Sequence, residues 1–276
     1  FLVASAELQA WVDAKLEFVN QEIAVDSIAA VKSLQSEMTR FNTEFVSNGK
    51  KFTEIAELRD KIVAGSHAQT EAVNTAVEDF NANRTKIEEL TKERSTKLDT
   101  EFEFQTFRVR TATLQSWIAD KKAFLESEFT IESVASANAN LKTLEAYEAE
   151  AASQAKRFSE VAELGEKVVG ASHGQSDSIK STLEDFNNQR AALEELDKER
   201  KAKLEQALAQ QTLLQEFREK VDELNGWCDQ KEAWLKRDVT VDSINAAQSQ
   251  LRGLDAYDSE YAAMNTNFES ANQVVP

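Results

Sequence analysis

Helix breakers are what this sequence lacks. One proline and seven glycines in 276 residues leave almost nothing to stop a helix or turn a hairpin. β-Branched residues never gather into an alternating run bounded by turn residues, so strands have no signal either. The single cysteine, Cys228, excludes an intrachain disulfide and a thiolate metal cluster, which fits a reducing compartment. Apolar stretches are only a few residues long, and no basic segment precedes a hydrophobic one at the N-terminus. Neither a membrane span nor a signal peptide is therefore expected. Positive charge is scarce as well: 32 basic against 49 acidic residues give a net charge of −17, a surface that repels nucleic acid and anionic lipid.

What remains is helix-forming. Ala, Leu, Glu, Lys and Gln dominate every segment, and the chain reads as all-α. Only 41% of its residues are hydrophobic. That is enough for narrow seams between long helices but little for wide globular cores, so an elongated rod is expected.

The chain repeats itself. Leu8-Gln9-Ala10-Trp11 returns as Leu114-Gln115-Ser116-Trp117 and as Leu224-Asn225-Gly226-Trp227, at offsets of 106 (11 to 117) and 110 (117 to 227). The first offset also carries Asp26-Ser27 onto Glu132-Ser133, Ser66-His67 onto Ser172-His173, and Glu78-Asp79-Phe80-Asn81 onto Glu184-Asp185-Phe186-Asn187. Three repeats follow, at 1–106, 107–216 and 217–276, the last incomplete. In each full repeat a helix A begins near Phe1 or Phe107, a helix B at the Asp/Glu-Ser pair, and a helix C at the Ser-His pair.

Helix C has the clearest period. Val73, Val77, Phe80, Arg84, Ile87, Thr91, Arg94 and Leu98 follow a 4,3 spacing, and Ile179, Leu183, Phe186, Arg190, Leu193, Asp197, Arg200 and Leu204 repeat it. No Pro or Gly lies between Leu98 and Trp117 or between Leu204 and Phe217, so each helix C is expected to run unbroken into the next helix A. The second junction is longer, with 20 residues from Leu204 to Leu224 against 16 from Leu98 to Leu114. Four extra helical residues add about 6 Å and roughly 40° of rotation, which predicts a different twist there.

Repeats of about 106 residues, with Leu-x-x-Trp followed four residues later by Lys15, Lys121 or Lys231, resemble the spectrin repeat. The Phe-Asn-x-x-Arg strings of Phe80–Leu98 and Phe186–Leu204 are similar to helix C of that family, although Phe80 and Phe186 stand where many members carry a second tryptophan. Leu144-Glu145-Ala146-Tyr147-Glu148 and Leu254-Asp255-Ala256-Tyr257-Asp258 look most like α-actinin rods. The resemblance implies tandem three-helix spectrin-type repeats and an antiparallel homodimer. Actin would be contacted only through domains outside this chain, in the cytoplasmic cytoskeleton. Every repeat is net acidic, so attraction between oppositely charged repeats would not drive the pairing.

Trp11, Trp117 and Trp227, with Phe80 and Phe186, form the core signature; seven-residue spacing to Phe18, Phe124 and Trp234 makes a packing stripe the better reading than a ligand-stacking platform. Phe104 and Leu213, off the seams, are candidate lateral contacts or local joint packing. Tyr257, Tyr261 and Phe268 would line a groove on the incomplete third repeat, covered by a partner chain or by nothing. His67 and His173 fall in equivalent places of successive repeats and cannot share a metal. The clusters Glu88-Glu89 and Glu194-Glu195-Asp197 lie among lysines and arginines and read as solvated faces. No phosphate loop, calcium loop or nucleophile elbow occurs, so no enzyme activity and no cofactor are expected. The functions in view are thus a structural rod, spacer and dimerisation module, or a monomeric scaffold docking other proteins or membrane-associated partners.

Overall fold

The computed structural model describes residues 1–273, with side chains through 271; positions 274–276 of the third repeat lie outside the described residues. Six helices make up the described residues: α1 Leu2–Asn20, α2 Ile28–Ala64, α3 Thr70–Glu126, α4 Val134–Gly170, α5 Ser176–Leu235 and α6 Ile244–Gln273. There is no strand among the described residues. As the absence of Pro and Gly predicts, α3 and α5 run unbroken through both junctions.

Helix starts follow side-chain chemistry. The serine of each Asp/Glu-Ser pair caps a helix B: Ser27 Oγ accepts from Ala30 N (3.3 Å), Ser133 Oγ from Ser136 N (3.1 Å), and Ser243 Oγ from Ala246 N (3.1 Å).

The Ser-His pairs differ from expectation. Ser66 and Ser172 do not start helix C; they end helix B, in the left-handed conformation at φ 52° and 56°. The cap comes from the histidines, whose Nδ1 atoms accept from Gln69 N and Gln175 N, each at 3.2 Å. Because a side chain strains that backbone region and glycine does not, Ser66→Gly and Ser172→Gly should each raise stability by about 0.5–1 kcal/mol in thermal unfolding.

The chain packs as two compact units. The first comprises residues 1–119 with 154–189. Its main core joins Leu8, Val12 and Val19 of α1, Val31, Met38, Phe41, Phe52 and Ile55 of α2, and Val77, Phe80, Ile87 and Leu98 of α3. Phe107, Leu114 and Ile118 of α3 are buried in the same unit, with Val161 and Val168 of α4 and Ile179 and Phe186 of α5. Gly165 permits that packing: a Cβ there would lie 3.0 Å from both Phe107 Cε2 and Leu183 Cδ1.

The second unit comprises residues 120–153 with 190–276. Leu125, Leu144, Tyr147, Leu193, Leu204 and Leu224 are buried in it. Towards its C-terminal end, α5 and α6 form a hairpin with an aromatic face, in which Tyr257 stacks on Trp234 (5.9 Å) and Trp227 (6.5 Å).

The 4,3 seam of helix C is not uniformly buried. Arg84 and Arg190 turn outward to Glu88 (3.1 Å) and Glu194 (3.4 Å) on their own helices. A guanidinium this near the surface reaches water and a carboxylate at less cost than it would enter the core.

Candidate functional site

Two devices recur at the repeat spacing. The first locks helix A to helix B. Glu44 of α2 receives Trp11 Nε1 (3.0 Å) on one carboxylate oxygen and Lys15 Nζ (2.8 Å) on the other. Those two hydrogen bonds, Lys15 first, hold the Glu44 carboxyl below its ordinary pKa. The same pairing returns as Lys121 with Glu150 (2.7 Å) and as Lys231 with Glu260. Each lysine was visible in the tryptophan motif; the glutamates were not, although each lies 33 residues after its tryptophan (11 to 44, 117 to 150, 227 to 260).

The second device straps the loop between helices A and B to helix C. That loop is irregular backbone whose carbonyls need donors. Arg94, only 4% exposed, donates to Gln21 O with its guanidinium 5.5 Å from the Phe18 ring. Arg200 repeats it, donating to Leu125 O (3.0 Å) and Ser127 O (2.7 Å) while lying 4.9 Å from both Phe124 and Phe129. Burial pushes both guanidinium pKa values down, with Glu37 opposing at Arg94. Eleven residues further on, Gln105 and Gln211 each donate to the same loop, at Val25 O and Ile131 O (both 3.4 Å).

At the first junction the strap extends into a network inside the first unit. Arg108 donates to Gln105 Oε1 (3.0 Å), Gln105 donates to Glu101 Oε1 (2.7 Å), and Glu101 Oε2 meets His173 Nε2 at 3.0 Å. Since His173 Nδ1 accepts from a backbone N–H, the neutral ring must carry its proton on Nε2 and donate to Glu101. Phe104 lies against the same ring, centroids 4.3 Å apart. His67 makes the same turn bond, but its side chain is exposed. Glu101→Ala should therefore cost about 1 kcal/mol and speed hydrogen exchange in residues 171–175 while leaving 65–69 unchanged.

The sequence-singled residues fall as follows. Phe80 and Phe186 are buried, at 3% and 5% exposure. Trp11, Trp117 and Trp227 are half-buried, Trp117 meeting Phe158 edge-on at 6.1 Å. Phe104 packs at the joint, whereas Leu213 is 51% exposed. Trp227 brings Tyr257, Tyr261 and Phe268 together within 6.5 Å, with Tyr261 the most open of the three. Among the described residues no His/Cys/Asp/Glu group could hold a metal ion, and no helix is long and apolar enough to cross a membrane.

The spectrin repeat signature matches residues 1–100, 102–206 and 212–275. Among known proteins, "Spectrin alpha chain, erythrocytic 1" of Mus musculus is 24% identical over 256 residues, covering 91% of this chain and 10% of its own length. "Spectrin beta chain, non-erythrocytic 4" of Homo sapiens is 23% identical over 230 residues, 81% of this chain and 8% of its own. The chain thus spans a tenth or less of the length of these relatives.

Proposed function

This chain belongs to the spectrin-repeat family, and from that premise we propose that it is a spacer and self-association segment of a cytoskeletal protein that cross-links actin, similar to the α-actinin rod. One observation carries the spacer role: α3 and α5 hold 57 and 60 residues and run through the junctions without a break. At ~1.5 Å per residue each is about 85–90 Å of continuous helix, long enough to transmit load from one repeat to the next. The repeat limits 1–106, 107–216 and 217–276 are part of this proposal. So are the antiparallel homodimer, a cytoplasmic location, and contact with F-actin only through domains outside the chain. The role is mechanical and asks for no catalytic group and no cofactor.

A second reading is a monomeric scaffold that docks other proteins or membrane-associated partners. It is favoured by the named relatives, both spectrin chains, and by a net charge of −17 that opposes self-pairing. Sedimentation equilibrium at low and high salt separates the two. A dimer that persists at both salts supports the cross-linking rod; a monomer throughout rejects self-association and leaves the scaffold.

A further inference from the structure

Seam positions of a helical bundle are apolar because a buried oxygen without a donor costs free energy, and a buried charge costs more. Position 197 departs from that rule. Asp197 occupies the 4,3 spacing of α5 between Leu193 and Arg200, and it is the only carboxylate among the described residues with a buried oxygen that no donor reaches.

Its neighbours offer it little. Tyr147 of α4 is 7% exposed, lies 5.9 Å from Phe124 of α3, and feels the Asp197 charge without hydrogen bonding to it. Arg200 commits its guanidinium to the carbonyls of Leu125 and Ser127. On α5, Lys201 is bound to Glu148 (2.9 Å), Lys198 to Glu195 (2.7 Å) and Arg190 to Glu194 (3.4 Å). On α3, Lys121 is bound to Glu150 (2.7 Å) and Lys122 to Glu126 (3.8 Å).

The first repeat supplies the contrast. There, 106 residues earlier, the two positions hold Phe41 and Thr91. The second repeat exchanges both at once, gaining a hydroxyl on the ring and a carboxylate on the seam.

We propose that Asp197, with a buried and unpartnered oxygen on the seam of α5, makes the second repeat a pH-responsive element that tightens when this carboxyl takes up a proton and loosens when it gives the proton up. Burial, then the Glu148 charge, raises its pKa, with Lys201 opposing; burial and the surrounding carboxylates push Tyr147 up to about 12. The folded chain thus holds the Asp197 proton more tightly than the unfolded chain. The resulting stability is fully present below the ordinary value of 3.8 and is lost as pH rises through the raised folded value. This is opposite in sign to the salt-bridged carboxylates that drive acid unfolding.

The test is Asp197→Asn in the full chain, which keeps the shape and removes the charge. Thermal unfolding is followed from about pH 4 to pH 8, with hydrogen exchange of α4 peptides locating the change. Near pH 7.5 the variant should melt several degrees above the parent, and the gap should close as pH falls towards 4. Transplanting the pair, with Phe41→Tyr and Thr91→Asp together, should create the same pH dependence in the first repeat. A gap constant across pH, or no gap at all, overturns the proposal. Should Asp197→Asn fail to fold, the transplant decides, and its failure to acquire the pH dependence is equally fatal.

Discussion

Phe186→Ala should lower the stability of the first unit by about 3–5 kcal/mol, the largest single loss expected in this chain. Phe186 is 5% exposed and meets Phe158 edge-on at 6.0 Å and 87°; Phe158 in turn meets Trp117 edge-on at 6.1 Å. Truncation leaves a hole in the middle of three helices, because α3, α4 and α5 each contribute one ring of this file. A backbone held by buried neighbours about two turns away on either side, Ile179 and Leu193 along α5, cannot collapse into it. Trp117→Ala should cost less, about 2–3 kcal/mol, because its indole is only partly buried and less apolar area returns to water. Urea unfolding of both variants gives the comparison. A Phe186→Ala loss below ~1 kcal/mol, or a larger loss for Trp117→Ala, would remove Phe186 from the core.

Much of this fold was legible because it is periodic. Phe80 and Phe186 are buried where the 4,3 spacing puts them, and the helices run on where Pro and Gly are missing. The site was less legible, for a physical reason: its contacts are long-range and end on backbone. Arg94 and Arg200 were seen as polar seam positions, yet their partners are carbonyls 73 residues away, which no side-chain pattern records. Gln105 and Gln211 lie outside the heptad strings altogether. The Glu44, Glu150 and Glu260 locks could have been found by carrying the tryptophan offsets on to helix B. Ser66-His67 and Ser172-His173 show the converse limit. The two motifs are identical and both form the same turn, yet nothing in them shows that His173 meets Glu101 and Phe104, which lie 72 and 69 residues earlier (173 to 101 and 173 to 104).

Arg200→Met is the second large effect, and it tests whether the strap is structural. Methionine fills much of the same space between Phe124 and Phe129 but donates nothing. The carbonyls of Leu125 and Ser127, one at the end of α3 and one just beyond it, would then face an apolar pocket without a partner. Two carbonyls left unsatisfied, together with the lost stacking, should cost about 2–4 kcal/mol. The charge itself offsets part of this, since burying a guanidinium without a carboxylate carries its own desolvation penalty. Arg200→Lys should recover less than half, because an ammonium on a flexible stem cannot hold both carbonyls in one plane or stack on two rings. Hydrogen exchange and limited proteolysis across residues 127–133 locate the effect: that loop should open first, while α2 stays protected. An Arg200→Met chain that unfolds within ~0.5 kcal/mol of the parent, with its 127–133 loop still protected, would mean that the loop is held by the packing of Leu125 and its apolar neighbours and that the strap is incidental.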